Sequence, residues 1–238
     1  MRKPALIKLL SASATSMTWL FIPLYADDLG SSAMFLGVIV ASYALAVFLS
    51  SMIFGRAADM YGRRKIVIMG LLASSGSFAF LSLADTPVEL LYFRFICGFT
   101  AGMFNSALVA YVAEREALLG RFSSFGALGF TIGFVISGTI MTFKTATYLI
   151  FLAASGVFFL AFLVALSLPK APEKTFKVPR IPVAMIKKNG HLYAAMLFRH
   201  TGASIAWVIF PLYQQSLGSA MMWSLVCSSS FDLVHIPS

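Results

Sequence analysis

Among the residues that could do chemistry in this chain are three ionisable ones that lie well inside apolar runs. Arg94 lies in the run 89–113, and Arg199 and His200 lie in a later one. A charge in such surroundings is costly and usually marks the path of an ion, a proton or a polar solute. Asn105 is placed mid-run as well, and an unpaired amide is also unfavourable there. We therefore expect these four side chains to face the protein interior and to be candidates for a proton or substrate path.

A second cluster of charge is the segment 55–65, Gly-Arg-Ala-Ala-Asp-Met-Tyr-Gly-Arg-Arg-Lys. Gly55 would allow helices to approach closely, and Gly62 would allow the positive φ of a tight turn. Asp59 could accept hydrogen bonds from helix N-termini or pair with a neighbouring arginine. Such a segment suits either a latch between helices or a simple anchor for membrane topology. The residues available to such a latch are Gly55, Asp59, Gly62, Arg63 and Arg64.

The elements that hold these residues must be membrane helices. Hydrophobic residues make up 59% of the 238 residues and charged residues 11%, whereas soluble domains carry about 25% charge. The net charge of +9 does not indicate nucleic acid, because the basic residues fall between apolar blocks. The lipid bilayer is the expected partner. Cys97 and Cys227 have no metal-ligand spacing, and no catalytic or ATP-binding motif occurs, so we expect neither an enzyme nor a cofactor.

Seven stretches are long enough to span a bilayer, which takes about 20 mostly apolar residues. They cover about 5–26, 33–54, 66–84, 89–113, 122–143, 146–168 and 192–213. An eighth apolar stretch begins near Ala220 and is broken by Asp232, His235 and Pro237. Lys8 interrupts the apolar core that a cleavable signal peptide would need, so the first stretch is expected to stay as a helix.

The connections predict orientation. Nearly all Lys and Arg residues fall on one side if the N-terminus is cytoplasmic, including those of the proline-rich segment 169–190. The opposite side carries Asp27, Asp28, Asp85 and Glu89. The positive-inside rule therefore predicts a multi-pass protein of the cell membrane with a cytoplasmic N-terminus and a cytoplasmic basic linker.

The chain also repeats itself. The fragment Trp-Leu-Phe-Ile-Pro-Leu-Tyr at 19–25 returns as Trp-Val-Ile-Phe-Pro-Leu-Tyr at 207–213. Both copies run from inside to outside, and the second lies six predicted helices after the first, so the repeat is parallel about an axis along the membrane normal. The two six-helix halves of major facilitator transporters are related by the same kind of axis.

The motif at 55–65 is similar to the loop signature of the major facilitator superfamily, Gly-x-x-x-Asp-(Arg/Lys)-x-Gly-Arg-(Arg/Lys). Met60 departs from it, since a basic residue is usual there. The resemblance implies a gating latch in which Asp59 contacts a helix of the second half. The run from Arg94 to Gly98 resembles the family's Arg-x-x-x-Gly motif in the fourth helix, which the family associates with proton coupling. Snorkelling of Arg94 toward the membrane surface is the alternative.

Glycine pairs with helical spacing predict close helix packing. They are Gly98 with Gly102 in the fourth stretch and Gly129 with Gly133 in the fifth. The family's antiporters carry a glycine-proline signature in the fifth helix, but Phe134 replaces its proline here, so the direction of transport stays open. Trp19 and Tyr43 are weaker candidates for lining a substrate cavity.

The resulting prediction is an all-α integral membrane protein with about seven transmembrane helices and an incomplete second half. Residues 1–168 form the N-terminal six-helix bundle, 169–190 the linker, and 191–238 the start of a C-terminal bundle. The resemblance implies a secondary transporter of a small solute by alternating access, with a proton or other ion as partner and efflux as the finer expectation. Two alternatives are a truncated or frameshifted inactive fragment and a structural subunit needing a second half or partner chain.

Overall fold

A computed structural model describes residues 2–19, 21–114, 119–142 and 148–169, together with residues 190, 191, 194, 195, 198, 202, 209 and 213. The described part of the chain is α-helical and holds six helices long and apolar enough to cross a membrane. They coincide with the first six predicted stretches. The predicted seventh stretch (192–213), the broken eighth and the linker lie almost wholly outside the described residues.

The first span comprises α1 (Arg2–Trp19) and α2 (Phe21–Asp28). The second is α3 (Ala33–Tyr61), whose first turn is capped by the Ser32 hydroxyl accepting from the Phe35 amide at 3.3 Å. Serine at this position satisfies an amide that has no partner within the helix. The third span is α4 (Arg63–Phe80), which continues as a short 3₁₀ turn over Leu81–Leu83.

The fourth span, α5 (Pro87–Ala113), has the most complete start signal in the sequence. Thr86 accepts from the Glu89 amide at 3.2 Å, and the Glu89 carboxylate accepts from the Thr86 amide, also at 3.2 Å. This reciprocal capping box, with Pro87 in the first turn, fixes where the helix begins. The fifth span is α6 (Leu119–Thr142) and the sixth is α7 (Tyr148–Leu166).

The spans pack in two groups. Helix α1 packs against α6 and α7, while α5 packs against α3 and α4; α4 and α7 join the two groups. Hydroxyls reinforce that joint, since Ser155 donates to the Ser75 carbonyl at 2.7 Å and Ser75 donates back at 3.1 Å. Within a bilayer such interhelical hydrogen bonds and close packing replace the hydrophobic effect as the source of association.

The structure corrects the placement of the charged motif. It is not a loop between two spans, because α3 continues to Tyr61 and α4 begins at Arg63, which leaves Gly62 alone between the helices. Gly62 has φ of +96°, a conformation that a residue with a Cβ rarely adopts. The rest of the motif therefore presents its side chains from two helix ends, where they are held in fixed directions.

Candidate functional site

The basic end of the bundle, defined by Lys3, Asp59, Arg63, Arg64 and Glu114, is held together by Arg63. Its guanidinium donates to the Asp59 carboxylate at 2.9 and 3.1 Å, to the Ala110 carbonyl at 2.6 Å and to the Glu114 carboxylate at 3.2 Å. One side chain thus joins the end of α3, the start of α4 and the end of α5. Arginine suits this role because its donors are fixed in a planar fork.

Two further cations at the basic end bind main-chain oxygens around the end of α7. Arg64 donates to the Leu166 carbonyl at 2.7 Å, and Lys3 donates to the Ser167 carbonyl at 2.9 Å. The last carbonyls of a helix lack partners within it and carry partial negative charge, so cations are favoured there. The Nε of Arg64 is buried and has no hydrogen-bond partner among the described residues.

One expectation about the motif needs correction. Gly55 was expected to allow close approach of helices, yet a Cβ there would meet nothing within 4 Å in the described structure. Glu114, at the end of α5, was not among the predicted site residues; the residue is exposed, and its carboxylate pairs with Arg63. Its sequence signal was weak, because a carboxylate after a helix end is common. Contact of Asp59 with a second bundle lies outside the described residues.

In the membrane interior, α3 and α5 meet at the glycines of α5. A Cβ on Gly98 would collide with the Tyr43 carbonyl oxygen, and one on Gly102 would lie 2.6 Å from the Val47 carbonyl oxygen. The Ser50 hydroxyl donates to the Phe99 carbonyl across the same contact. The two backbones touch because neither glycine carries a side chain, which is how small residues act in membrane helices.

The α1–α6 contact is built in the same way from the glycines of α6. A Cβ on Gly129 would collide with the Leu9 carbonyl oxygen, and one on Gly133 with the Ser13 carbonyl and the Ser16 hydroxyl. Ser13 donates to the Gly129 carbonyl at 2.8 Å. The four glycines thus lie where the backbone of one helix is in close contact with that of its neighbour.

Arg94 lies on α5 in the same interface as Gly98. It is 4% exposed, and its guanidinium carbon lies 4.0 Å from the centroid of the Tyr43 ring on α3. The cation therefore stacks on an aromatic face inside the bundle and does not snorkel toward the surface. Its Nε and Nη1 have no hydrogen-bond partner among the described residues. A buried cation with two unused donors favours an incoming anion or a polar solute.

A second interior cation, Lys8, was noted in the sequence only because it interrupts the first apolar run. Lys8 belongs to α1, and its ammonium donates to the Asn105 side-chain oxygen on α5 at 3.0 Å. The same ammonium lies 5.7 Å from the centroid of the Phe122 ring on α6. The signal that could have found Lys8 was present, since an ionisable residue within a span is itself unusual. Its partner on α5 could not be deduced.

The sequence model of the Major Facilitator Superfamily matches residues 5–234 of this chain. The chain belongs to this family. Its membership agrees with the predicted resemblance and with the six observed spans, and it confirms the prediction that the chain is not an enzyme.

Relatives within the superfamily include two bacterial resistance proteins. The chain is 28% identical over 160 residues to the quinolone resistance protein NorA of Staphylococcus aureus, which covers 65% of this chain and 41% of NorA. It is 36% identical over 115 residues to multidrug resistance protein 2 of Bacillus subtilis, covering 45% of this chain and 28% of that protein. The chain thus spans well under half the length of these relatives.

Solved superfamily structures share the fold. A crystal structure of a D-xylose-proton symporter superposes with a TM-score of 0.59 and 15% identity, covering 98% of this chain and 65% of the symporter. The symporter XylE bound to a deoxyglucose analogue gives a TM-score of 0.56, also at 15% identity, covering 91% of this chain and 53% of that chain. At this identity the likeness concerns the fold alone.

The remaining candidates from the sequence are placed as follows within the superfamily bundle. Trp19 packs edge-on against Phe130 of α6, with ring centroids 5.9 Å apart. Tyr25, which was not among those candidates, lies at the end of the bundle opposite the basic end, where its hydroxyl donates to the Ala84 carbonyl at 2.6 Å. Arg199 and His200 lie outside the described residues, so the pair remains a sequence prediction.

Proposed function

We propose that this chain forms the N-terminal bundle of a secondary active transporter that moves a small solute by alternating access. The superfamily match over residues 5–234 carries the proposal. In this class of protein two bundles rock about a site near the midplane of the membrane. Arg94, buried beside Tyr43 and with unused donors, is the interior group best suited to touch the solute or the coupled ion.

The proposed arrangement assigns residues 1–168 to the bundle, 169–190 to a linker and 191–238 to the start of a second bundle. The second bundle would be completed by further sequence or by a partner chain. The parallel repeat of 19–25 at 207–213 supports this arrangement. The basic end is proposed to face the cytoplasm, with the N-terminus on that side of the cell membrane. Arg63 and Arg64 at one end, against Asp27 and Asp85 at the other, support that orientation.

Asp59, Arg63 and Arg64 form the proposed gate. Arg63 already binds the carboxylates of Asp59 and Glu114. These three side chains can therefore act as a preformed surface against which a second bundle docks in one transport state and from which it separates in another. The side chains of Asp59, Arg63 and Glu114 are 21%, 18% and 23% exposed. They are thus shielded enough for ordered contacts and open enough to meet another helix.

Proton-coupled efflux is the finer proposal. It is supported by the relatives named as quinolone and multidrug resistance proteins and by the interior position of Arg94. When a cation lies beside both a solute site and a protonatable group, binding of the solute depends on whether that group is protonated, and the reverse also holds. The described interior supplies the cation, and Tyr43 supplies the ring that holds it in place.

The test is solute uptake by proteoliposomes that contain the full chain and have an acidic interior. A proton-coupled exporter exchanges outflowing protons for inflowing solute, so a fluorescent quinolone should accumulate faster than in protein-free vesicles. Nigericin, which collapses the pH gradient, should abolish the difference. D-xylose serves as a second probe that does not accumulate passively as a weak acid or base.

Uptake of both probes at the rate of protein-free vesicles would contradict transport by this chain. The same assay in membrane vesicles from cells expressing the chain retains any partner. Uptake there, together with a crosslinked second chain, would assign the bundle to a two-chain transporter. A gradient-independent uptake of quinolone would support transport and refute proton coupling.

A further inference from the structure

Lys8 and Asn105 meet between the two groups of helices. Helix α1 belongs to the group with α6 and α7, and α5 to the group with α3 and α4. The bond of 3.0 Å between the Lys8 ammonium and the Asn105 oxygen bridges these groups. Lys8 is about 9 Å from the start of α1 at about 1.5 Å per residue, so this bond lies within the span rather than at the surface.

The hydrogen-bonding capacity of this pair is not exhausted. An ammonium has three donors and no acceptor, so the Asn105 oxygen must be the atom that faces Lys8. The two N–H groups of the same amide are then directed elsewhere. Of the three Lys8 donors, one reaches Asn105, and the ammonium also lies 5.7 Å from the centroid of the Phe122 ring. The described residues offer no second hydrogen-bond partner to either side chain, so both can donate to a further acceptor.

Among the described residues, no carboxylate within the membrane pairs with the charge of the Lys8 ammonium. Each described acidic residue lies at an end of a span or in a connection: Asp27, Asp28, Asp59, Asp85, Glu89 and Glu114. Removing an ammonium from water without an opposite charge is expensive, and the cost falls when an anion with good geometry joins it. The position of Lys8 therefore favours the entry of an anion.

The stem of Lys8 is supported by α6. A Cβ on Gly126 would lie 3.0 Å from the Lys8 Cε and 3.5 Å from its Cγ. The absence of a side chain at Gly126 makes room for the lysine, and the Phe122 ring lies beside its charged end. This support directs the ammonium toward α5. Lys8 and Asn105 are both half-buried, so the site is shielded from water but not closed.

We propose that Lys8 and Asn105 form a subsite for the carboxylate of a singly charged organic anion with an apolar body. A carboxylate accepts one hydrogen bond from the ammonium and one from the Asn105 amide, which uses the donors left free. The single cation matches a single negative charge, and the apolar helices around it match the rest of the solute. The claim that this carboxylate belongs to a transported solute rests on the proposed function. The claim that an anion binds at Lys8 and Asn105 does not.

The experiment measures thermal unfolding of the purified full chain in a non-ionic detergent with benzoate or with benzamide. The two compounds have the same ring and similar shape and differ in charge. Benzoate at millimolar concentration should raise the midpoint by a few degrees, because a ligand that binds only the folded state stabilises it. Benzamide should raise it by less than a third as much.

Two variants and one control locate the effect. Lys8→Met removes the ammonium and should abolish the benzoate shift. Asn105→Asp places a carboxylate beside Lys8, so the chain should unfold at the same or a higher temperature while its affinity for benzoate falls at least tenfold. Lys3→Ala removes a lysine from the basic end and should leave the shift intact.

Equal shifts from benzoate and benzamide, or a full benzoate shift in Lys8→Met, would overturn the site. A carboxylate supplied by the protein itself would occupy Lys8 already, so benzoate would then have no effect on the original chain, which also overturns it. Transport is not read in this experiment. Binding through Lys8 in a chain that moves no solute would refute the transport proposal and leave the anion site standing.

Discussion

The basic end and the membrane interior both hold cations, but they use them differently. Arg63 at the basic end donates to two carboxylates and one carbonyl of the bundle itself. Arg94 in the interior stacks on Tyr43 and has two buried N–H groups without partners among the described residues. Lys8 reaches a neutral amide. A cation that the bundle satisfies stabilises the bundle, whereas one without an anion among the described residues lowers stability unless a ligand supplies that anion.

The largest expected effect concerns function in the interior. Arg94→Met keeps the volume and removes the charge, and should slow gradient-driven solute uptake in proteoliposomes by more than a hundredfold. That loss corresponds to about 3 kcal/mol, within the range of about 2–5 kcal/mol for truncating one partner of a buried charged contact. Arg94→Lys, which retains charge but not the planar fork, is the control and should recover part of the rate. Uptake by Arg94→Met at the rate of the unaltered chain would refute the proposal that Arg94 contacts the solute or the coupled ion.

The interior depends on close contact between α3 and α5, which a single methyl group would disturb. Gly98→Ala should lower the free energy of unfolding by about 2–3 kcal/mol, because its Cβ collides with the Tyr43 backbone and overpacking costs about that much. Thermal unfolding in detergent measures the loss. Gly37→Ala on α3 is the matched control, since a Cβ there meets nothing within 4 Å. Equal stability of the two variants would show that the glycine contact is not close.

At the basic end the expected effect is on stability. Arg63→Met leaves Asp59 and Glu114 without their common partner, and should cost about 2 kcal/mol, as removing one partner of a shielded charged hydrogen bond costs about 1–3 kcal/mol. Chemical unfolding followed by intrinsic fluorescence measures it. In Asp59→Asn/Glu114→Gln the carboxylates are gone, so adding Arg63→Met should cost less than half as much. Equal costs in the two backgrounds would refute the coupling.

The smallest effect is expected at Lys3. Its ammonium is exposed and binds the Ser167 carbonyl after α7, and exposed cations near helix C-termini contribute about 0.3–1 kcal/mol. Lys3→Ala should therefore lower the midpoint by a degree or two in low salt and by nothing measurable at 1 M salt. A salt-independent loss would indicate that packing of the lysine stem, and not its charge, supports α7.

Much of the fold followed from the sequence because membrane spans obey a simple length and polarity rule. The spans were longer than their apolar runs wherever polar residues continue a helix, as in α3, which extends through Asp59 to Tyr61. The predicted turn at Gly62 agrees with its φ of +96°. Residues with a Cβ rarely adopt positive φ, so the glycine at 62 was the natural position for the turn within this segment.

The site was harder to predict because its contacts join residues far apart in the chain. Arg94 was found since a charge in an apolar run is rare, but its stacking on Tyr43 depends on the register of α3 against α5. Lys8 was noted only as an interruption of an apolar run, and Glu114 was not singled out. Their partners, Asn105 and Arg63, could not be predicted because side-chain contacts are set by helix packing, which local sequence does not contain.

The most direct test compares the thermal unfolding of Arg63→Met and Arg94→Met side by side in one detergent. If Arg63 stabilises the folded bundle and Arg94 does not, Arg63→Met will unfold several degrees below the unaltered chain. Arg94→Met will then unfold at the original temperature or above it, as replacing a poorly compensated buried charge by an apolar side chain is often neutral or stabilising. An equal fall in both variants would show that Arg94 is a structural residue like Arg63 and would contradict the distinction between the two regions.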